Sequence, residues 1–198
     1  GDGNFIAAAE NTPDNTNSLV IIDAWNGDIL ERVPSPGNAA LQRPQWNNSG
    51  EKVSVIYLTD KGEGIMAYIP GVKSWQKLID PGFDDLQSSY LRNDSLFYVS
   101  SRSGTDNVYL RSPRGSDFPI TRSRFGAGDP DLKGNLLIFC DYTSSGNNIS
   151  YSTLPESLND EMPVQKNSSY LIDRFASEPG DAPAGPATVY TPERYRKW

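Results

Sequence analysis

One order of hydrophobic and polar positions recurs along the chain: a short apolar run, a polar turn and a second run of alternating character. The three copies, at 41–57, 86–100 and 128–141, read LQRPQWNNSGEKVSVIY, LQSSYLRNDSLFYVS and GDPDLKGNLLIFCD. Each copy predicts two antiparallel strands joined by a tight connection. Because Pro44, Ser88 and Pro130 hold the same place, successive copies lie 44 and 42 residues apart.

The residues between copies predict two more strands per repeat, for example 65–69 and 75–79 in the second unit. A period of roughly 40–45 residues that contains only strands has the length of one four-stranded blade, as in WD40-like repeats. The sequence therefore predicts an all-β fold, a β-propeller of four-stranded antiparallel blades. About four blades fit in this chain, which could also be part of a larger propeller.

The repeat divides the predicted propeller domain, residues 1–175, into units. Their approximate bounds are 4–40, 41–85, 86–127 and 128–166, followed by a closing strand at 167–175. The first unit lacks an innermost strand, because residues 4–10 match the second strand of the repeat. Residues 167–171 echo 87–91 and predict an unattached inner strand. Either this strand pairs beside residues 4–10 and closes the ring, or further blades precede the chain.

Residues 176–198 are rich in Pro, Gly and Ala and predict a linker and tail. The chain begins GDGN and ends abruptly, which is typical of a piece of a longer protein, so continuity with further domains is expected.

Composition and charge argue against several classes of function and site. The formal net charge of −7 argues against a nucleic-acid partner, which needs a basic surface. The chain has no His, which removes His-based catalytic triads and His metal sites. Its single Cys, Cys140, allows no internal disulfide and reads as a buried small hydrophobe. No segment approaches the roughly 20 apolar residues of a membrane span.

The repeat at Pro44 to Tyr57, P-x-W-x-x-x-G followed by alternating apolar residues, resembles the propeller repeat of the TolB family. Residues 101–110 and 118–121 resemble that family's S-x-R-x-G-x-x-x-I-Y stretch and its closing x-x-L-T. The departures are the turn at 47–50, which replaces Ser-Pro-Asp-Gly, and Tyr90 and Leu132 at the Trp place.

The resemblance implies a bacterial protein exported to the periplasm that works by binding other proteins of the cell envelope. The tail, TPERYRKW after a Pro/Ala linker, resembles the join to an outer-membrane barrel in Bacteroides-type propeller proteins. Together the two resemblances imply a periplasmic or outer-membrane-associated location and a protein partner there.

The inner strands of a propeller line its central channel, so polar side chains on them are expected to converge there. The predicted channel-lining or binding residues are Arg43, Ser88, Tyr90, Asp129, Asp131 and Ser168. Asp129 and Asp131 could offer carboxylate oxygens to Ca²⁺, but a turn and strand-start pair is the favoured interpretation of these two residues. No other cofactor and no catalytic residue is predicted.

Three functions remain open at this stage. The favoured hypothesis is a non-catalytic protein-binding or assembly module of the bacterial cell envelope. The second is an accessory propeller of a larger hydrolase or peptidase, which a downstream Gly-x-Ser-x-Gly region would favour. The third is a glycan-binding propeller, which predicts exposed aromatic rings and carboxylates at the channel mouth.

Overall fold

The computed structural model describes residues 3–82, 84–155 and 158. These residues form two short 3-10 turns, Pro36–Asn38 and Pro70–Val72, and otherwise strands and loops. The strands are β1 (Phe5–Asn11), β2 (Asn17–Asp23), β3 (Ile29–Pro34), β4 (Ala40–Trp46), β5 (Val53–Thr59), β6 (Gly62–Ile69), β7 (Ser74–Gly82), β8 (Leu86–Arg92), β9 (Ser95–Ser100), β10 (Asn107–Arg111), β11 (Asp117–Pro119), β12 (Ala127–Lys133), β13 (Leu136–Thr143) and β14 (Gly146–Thr153). Within this part of the chain, no helix has the length and apolar character needed to cross a membrane.

The strands form four consecutive antiparallel sheets, and in each sheet neighbouring strands are also consecutive in the chain. Sheet 1 contains β1-β2-β3, sheet 2 contains β4-β5-β6-β7, sheet 3 contains β8-β9-β10-β11, and sheet 4 contains β12-β13-β14. Short hairpin connections explain this order, because antiparallel neighbours need only a tight turn. Sheet 1 begins at the strand that the repeat assigns to second place, as the missing inner strand in the sequence predicts.

The core lies between the sheets, and alternate residues of one strand pack against different neighbouring sheets. On β5, Val53, Val55 and Tyr57 pack with residues of sheet 1, whereas Ile56 packs with residues of sheet 3. This division follows from the two-residue period of a strand, which sends successive side chains to opposite faces. Hence residues 53–57 are all buried, and all but Ser54 are apolar, because both faces of the sheet are covered.

The same division holds in sheet 3. On β9, Leu96 and Tyr98 pack towards sheet 2, while Phe97 and Val99 pack with residues of sheet 4. Polar contacts also cross between sheets: the Ser54 hydroxyl donates to the carbonyl of Ser89 at 3.1 Å. Sheets 2 and 3 are therefore each held between two neighbours.

The inner strands of sheets 2, 3 and 4 are interrupted at the same repeat position. The register shifts between Gln42 and Gln45 on β4, between Leu86 and Ser88 on β8, and between Gly128 and Asp131 on β12. A β-bulge bends a strand and redirects the extra side chain. In the bulges of β4 and β12, Arg43 and Asp129 adopt positive φ angles of 48° and 45°.

The fold class predicted from the repeat is confirmed in these sheets. The predicted strands 65–69 and 75–79 lie within β6 and β7, and the last strand of sheet 3, β11, ends at Pro119. Pro119 has no N–H for the ladder, and the N–H groups of Ile120 and Thr121 both donate to the carbonyl of Val108. The chain therefore leaves the sheet at that point.

The predicted outer strand of the fourth unit and the closing strand at 167–175 lie outside the described residues. The predicted domain bounds, and the choice between ring closure and further blades, stay predictions.

Sheet 3 contains a buried ionic cluster centred on Arg102. Arg102 Nη1 donates to Asp117 Oδ2 at 3.1 Å, and Arg111 Nη1 donates to the same oxygen at 2.8 Å. The side chains of Arg102 and Asp117 are 3% and 0% exposed. The rings of Tyr98 and Tyr109 each lie 5.2 Å from the guanidinium carbon of Arg102, within cation–π range.

Burial raises the pKa of the Asp84 carboxyl, and the positive charge of Arg102 partly opposes that rise. Asp84 Oδ2 lies 3.7 Å from Arg102 Nη2. The single Arg102 cation thus compensates two carboxylates, Asp84 and Asp117, in a position where solvent screens little.

Gly64→Ala tests the packing between the strands of sheet 2. A Cβ at Gly64 would lie 2.7 Å from the Ile79 carbonyl oxygen and 2.7 Å from the Tyr57 ring. Because the carbonyl cannot move freely, we expect the free energy of unfolding to fall by about 2 kcal/mol. Gly71→Ala is the control, since a Cβ there meets nothing within 4 Å. Urea denaturation followed by tryptophan fluorescence measures both, and equal stabilities would contradict the packing argument.

Arg102→Ala tests the ionic cluster. Removing this cation leaves Asp84 without its ion-pair partner and, among the described residues, leaves Arg111 as the only cation beside the buried Asp117 carboxylate, so we expect a loss of about 3–5 kcal/mol in the free energy of unfolding. Arg32→Ala is the matched control, because Arg32 also binds a carboxylate, Glu10 at 2.6 Å, but on the surface. The control should lose much less stability, because solvent screens an exposed ion pair. Similar losses in the two variants would show that Arg102 is not a structural centre.

Candidate functional site

A recess of about 240 Å³ opens where β12 begins beside sheet 3. We call it the β12 recess. The side chains that give it chemical character are Gln87, Asp106, Phe125, Asp129, Tyr142 and Asn147. Sheet 3 and the loop after it supply Gln87, Asp106 and Phe125, while sheet 4 supplies the others. The recess is therefore built at a junction between two sheets, where ligand sites often occur.

The floor of the recess is backbone at 126–128, held by hydrogen bonds to residues of both sheets. The N–H of Ala127 donates to the Asp106 carbonyl at 2.7 Å, and the N–H of Tyr142 donates to the Gly126 carbonyl at 2.8 Å. Gly126 has a φ of 141°, and a Cβ on it would lie 3.9 Å from the Asp106 Cβ. The sequence needs glycine here because of this backbone conformation, and the absence of a side chain keeps the floor open.

Ser123 fixes the loop that enters the recess. Its hydroxyl donates to Asp141 Oδ1 at 2.5 Å and also accepts the N–H of Gly126 at 3.1 Å. The N–H of Ser123 donates in turn to Asn107 Oδ1 at 2.8 Å. A loop tied to both neighbouring sheets presents its side chains in a defined geometry, which a binding site requires.

Two aromatic side chains form the apolar wall. The exposed fractions of Phe125 and Tyr142 are 50% and 53%. The guanidinium carbon of Arg124 lies 5.2 Å from the Phe125 ring, so a cation already contacts that ring. Half-exposed aromatic rings offer apolar area that is available to a partner at little conformational cost.

The opposite wall is polar and acidic. Gln87 Nε2 donates to Asp106 Oδ2 at 2.8 Å and thereby links β8 to the loop before β10. Asp129 is exposed on the bulge of β12, and its positive φ turns it out of the regular strand alternation. The arrangement can contact an apolar group through its rings and accept hydrogen bonds through its carboxylates.

The structure places the predicted site residues in different surroundings. Of the predicted set, Asp129 alone is among the residues that line the recess. Arg43 is exposed at the equivalent bulge of β4, and Asp131 Oδ1 accepts the N–H of Leu132 at 2.8 Å. Ser88 has a buried hydroxyl with no hydrogen-bond partner among the described residues.

Tyr90 is half-buried and packs with the cluster of Phe97, Leu110, Leu132 and Leu137 between sheets 3 and 4. Ser168 lies outside the described residues. The described residues include no group of three or more Asp, Glu or Cys side chains suited to hold a metal ion. Calcium binding by Asp129 and Asp131 stays a prediction.

Sequence reasoning missed Gln87, Asp106, Phe125, Tyr142 and Asn147. Asp106 and Phe125 lie in loops, and the sequence does not say which loops of neighbouring units meet. One signal was present: Phe125-Gly126-Ala127-Gly128 places an aromatic residue and two glycines directly before an inner strand. Such a stretch predicts a close backbone approach beside an exposed ring.

No protein-family model and no curated protein sequence matches this chain. Solved structures do. The fold is similar to that of a protein from Agrobacterium tumefaciens assigned as TolB, with 15% identity and a TM-score of 0.60 over 77% of this chain and 58% of that chain. It is also similar to TolB from Acinetobacter baumannii, with 13% identity and a TM-score of 0.60 over 77% of this chain and 39% of that chain.

A peptidase has a similar region as well. Pyrococcus horikoshii acylaminoacyl peptidase matches 79% of this chain with 14% identity and a TM-score of 0.53, over 26% of its own length. At these identities the similarity concerns the fold alone. The chain is therefore a TolB-like β-propeller by fold, and it spans less than two thirds of the length of each of these structures.

Proposed function

We propose that this chain is a non-catalytic binding module of the bacterial cell envelope and that it recognises a protein partner at the β12 recess. The observation that carries the proposal is the pair of half-exposed rings, Phe125 and Tyr142, beside the carboxylates of Asp106 and Asp129. Aromatic anchors near the centre of an interface contribute a large share of its binding energy.

The backbone that carries these side chains favours a preformed binding site over one that takes shape only on binding. The floor is tied to both sheets through Ala127 and Tyr142, and Ser123 ties the entering loop. A site that is already ordered loses less conformational freedom when it binds. The same geometry is less suited to a function that depends on large loop movements.

The charge of the recess suggests the chemistry of the partner. Asp106 and Asp129 are acceptors, and the chain carries a net charge of −7. A partner segment with a basic side chain next to an apolar one would match both walls, because opposite potentials across an interface favour encounter and register.

The proposed location rests on the fold similarity to TolB from two bacteria and on the repeat at 44–57. TolB proteins are periplasmic, so a periplasmic or outer-membrane-associated location follows by resemblance. The proposal of a non-catalytic role is supported by the complete absence of His from the sequence. An accessory propeller of a peptidase remains the alternative, and the gene sequence downstream of Trp198 separates the two.

The double variant Phe125→Ala/Tyr142→Ala tests the proposed partner site. We expect wild-type protein to retain a discrete protein from envelope extracts of the encoding bacterium, and the variant to lose at least about 90% of it. The expected reason is the loss of both anchors, each of which can contribute 2 kcal/mol or more in an interface of about standard size. Affinity capture with quantitative mass spectrometry measures the retained protein.

Trp25→Ala serves as the matched control, since Trp25 is an exposed aromatic residue in the turn between β2 and β3 and does not line the recess. It should retain the partner at the wild-type level. If wild-type protein retains no envelope protein, or if Trp25→Ala loses the partner equally, the proposed site is wrong.

Glycan binding is the second candidate, favoured by the same neighbouring rings, carboxylates and the amides of Gln87 and Asn147. A sugar could place its apolar face on Tyr142 and its hydroxyls on the polar wall. Calorimetric titration with a panel of bacterial envelope glycans would then give heat with wild-type protein and none with Tyr142→Ala. Absence of heat across the panel would remove this candidate and leave the protein partner unaffected.

A further inference from the structure

A second depression, of about 400 Å³, lies at the junction of sheets 2 and 3. We call it the basic cleft. Its charged lining residues are Lys52, Lys77, Arg111, Arg114 and Asp94. Four cations and one carboxylate thus line this cleft, although the whole chain carries a net charge of −7. A local excess of positive charge in an acidic protein points to an anionic ligand, because clefts concentrate the potential of their charges.

The cations are held in a way that leaves them available. Lys52 Nζ lies 3.4 Å from Asp94 Oδ1, and the Asp94 side chain is 77% exposed. Lys77 Nζ lies 3.2 Å from Asp80 Oδ1, and both of these side chains are also largely exposed. Surface ion pairs of this kind stabilise a protein little, so an incoming anion can compete for either lysine.

Arg111 provides a fixed donor. Its Nη1 donates to the buried Asp117 Oδ2 at 2.8 Å, and its Nη2 lies 3.6 Å from the position of a Cβ on Gly115. The guanidinium group is therefore oriented by Asp117 and placed against the 112–115 turn. Arg114 is exposed on the same turn, so two guanidinium groups border one side of the cleft.

The turn also offers a hydroxyl. Ser112 Oγ lines the cleft and accepts the N–H of Ser116 at 3.2 Å, which leaves its own proton able to donate. Guanidinium, ammonium and hydroxyl donors together match the several acceptor oxygens of a phosphate group. A carboxylate has only one negative charge and two oxygens, and would use fewer of these donors.

The floor of the cleft is apolar. Leu91 and Leu96 are buried and Leu78 is half-buried, and all three line it. An apolar floor beneath a cationic border can hold an acyl or similar group attached to the anion.

We propose that the basic cleft binds a phosphate group, with the leucine floor receiving an apolar body when the phosphate belongs to a lipid. The site is separate from the β12 recess and does not depend on the function proposed there. Free phosphate and a phospholipid headgroup share the phosphate chemistry, and the two are distinguished below.

The experiment is a ¹H–¹⁵N titration of the full 198-residue chain at pH 7 and low ionic strength, where charge interactions are screened least. The probes are inorganic phosphate, dihexanoyl phosphatidic acid below its micelle concentration, and octanoate as an apolar carboxylate. We expect saturable shifts for the phosphate probes at residues 76–78, 91–96 and 111–115. Octanoate should bind about tenfold more weakly than the phosphatidic acid, because it accepts fewer charge-assisted hydrogen bonds.

The double variant Lys77→Ala/Arg114→Ala removes two exposed cations and leaves in place the ion pair between Arg111 and the buried Asp117. We expect its affinity for the phosphate probes to fall by at least about tenfold. Lys61→Ala/Lys133→Ala is the matched control, since both lysines are exposed and lie outside the cleft. It changes the net charge equally and should keep wild-type affinity.

Tighter binding of phosphatidic acid than of inorganic phosphate, with shifts at Leu78 and Leu91, assigns the cleft to a phospholipid. Equal affinities for the two probes assign it to free phosphate. Octanoate binding as tight as phosphatidic acid would overturn the phosphate assignment. Equal weakening in the two double variants, or shifts that do not saturate, would overturn the site itself.

Discussion

The structure depends on one constraint: a strand that is apolar on both faces needs a sheet against each face. β5 and β9 meet it by sending alternate side chains into different clusters, so that sheets 2 and 3 are each packed on two sides. Among the described residues, sheet 4 packs against sheet 3 alone, and its other face remains open. On the face away from sheet 3, Ile149 and Tyr151 are 86% and 79% exposed, whereas Leu137, on the other face, is fully buried. The apolar alternation persists where no described sheet covers it.

This constraint explains why the fold could be predicted from the sequence. The two-residue period and the 44- and 42-residue steps reflect the same packing in each unit, and both are visible in one sequence. Trp46, Tyr90 and Leu132 hold the same position of the internal repeat, and all three pack between sheets. The recurrence of a large side chain at that position was sufficient to identify them. The bulges were not visible, because no residue type alone specifies them: Arg43 and Pro44 on β4 lie opposite a single residue of β5, and Asp129 and Pro130 on β12 lie opposite a single residue of β13.

The candidate sites were harder to predict for a physical reason. Strand positions follow from local periodicity, but the β12 recess combines Gln87, Asp106 and Tyr142, which become neighbours only through packing between sheets. The predicted channel residues were chosen by strand position, and one of them, Asp129, lines the β12 recess. Tyr90 was included for the same reason, yet its ring lies in the core cluster. Sequence position on an inner strand therefore does not by itself predict that a side chain is accessible.

The two candidate surfaces follow from how neighbouring sheets meet. The packed strands fix the junctions, and the turns at their ends are free to vary without disturbing the core. At the junction of sheets 3 and 4 turns and strand ends supply rings and carboxylates, and at the junction of sheets 2 and 3 turns and strands supply cations. Arg111 links stability to this second surface, because the Asp117 carboxylate that Arg102 holds in the core also orients the guanidinium of Arg111 at the cleft. Loss of Arg102 would therefore disturb the basic cleft as well as the core, while loss of Arg114 would affect the cleft alone.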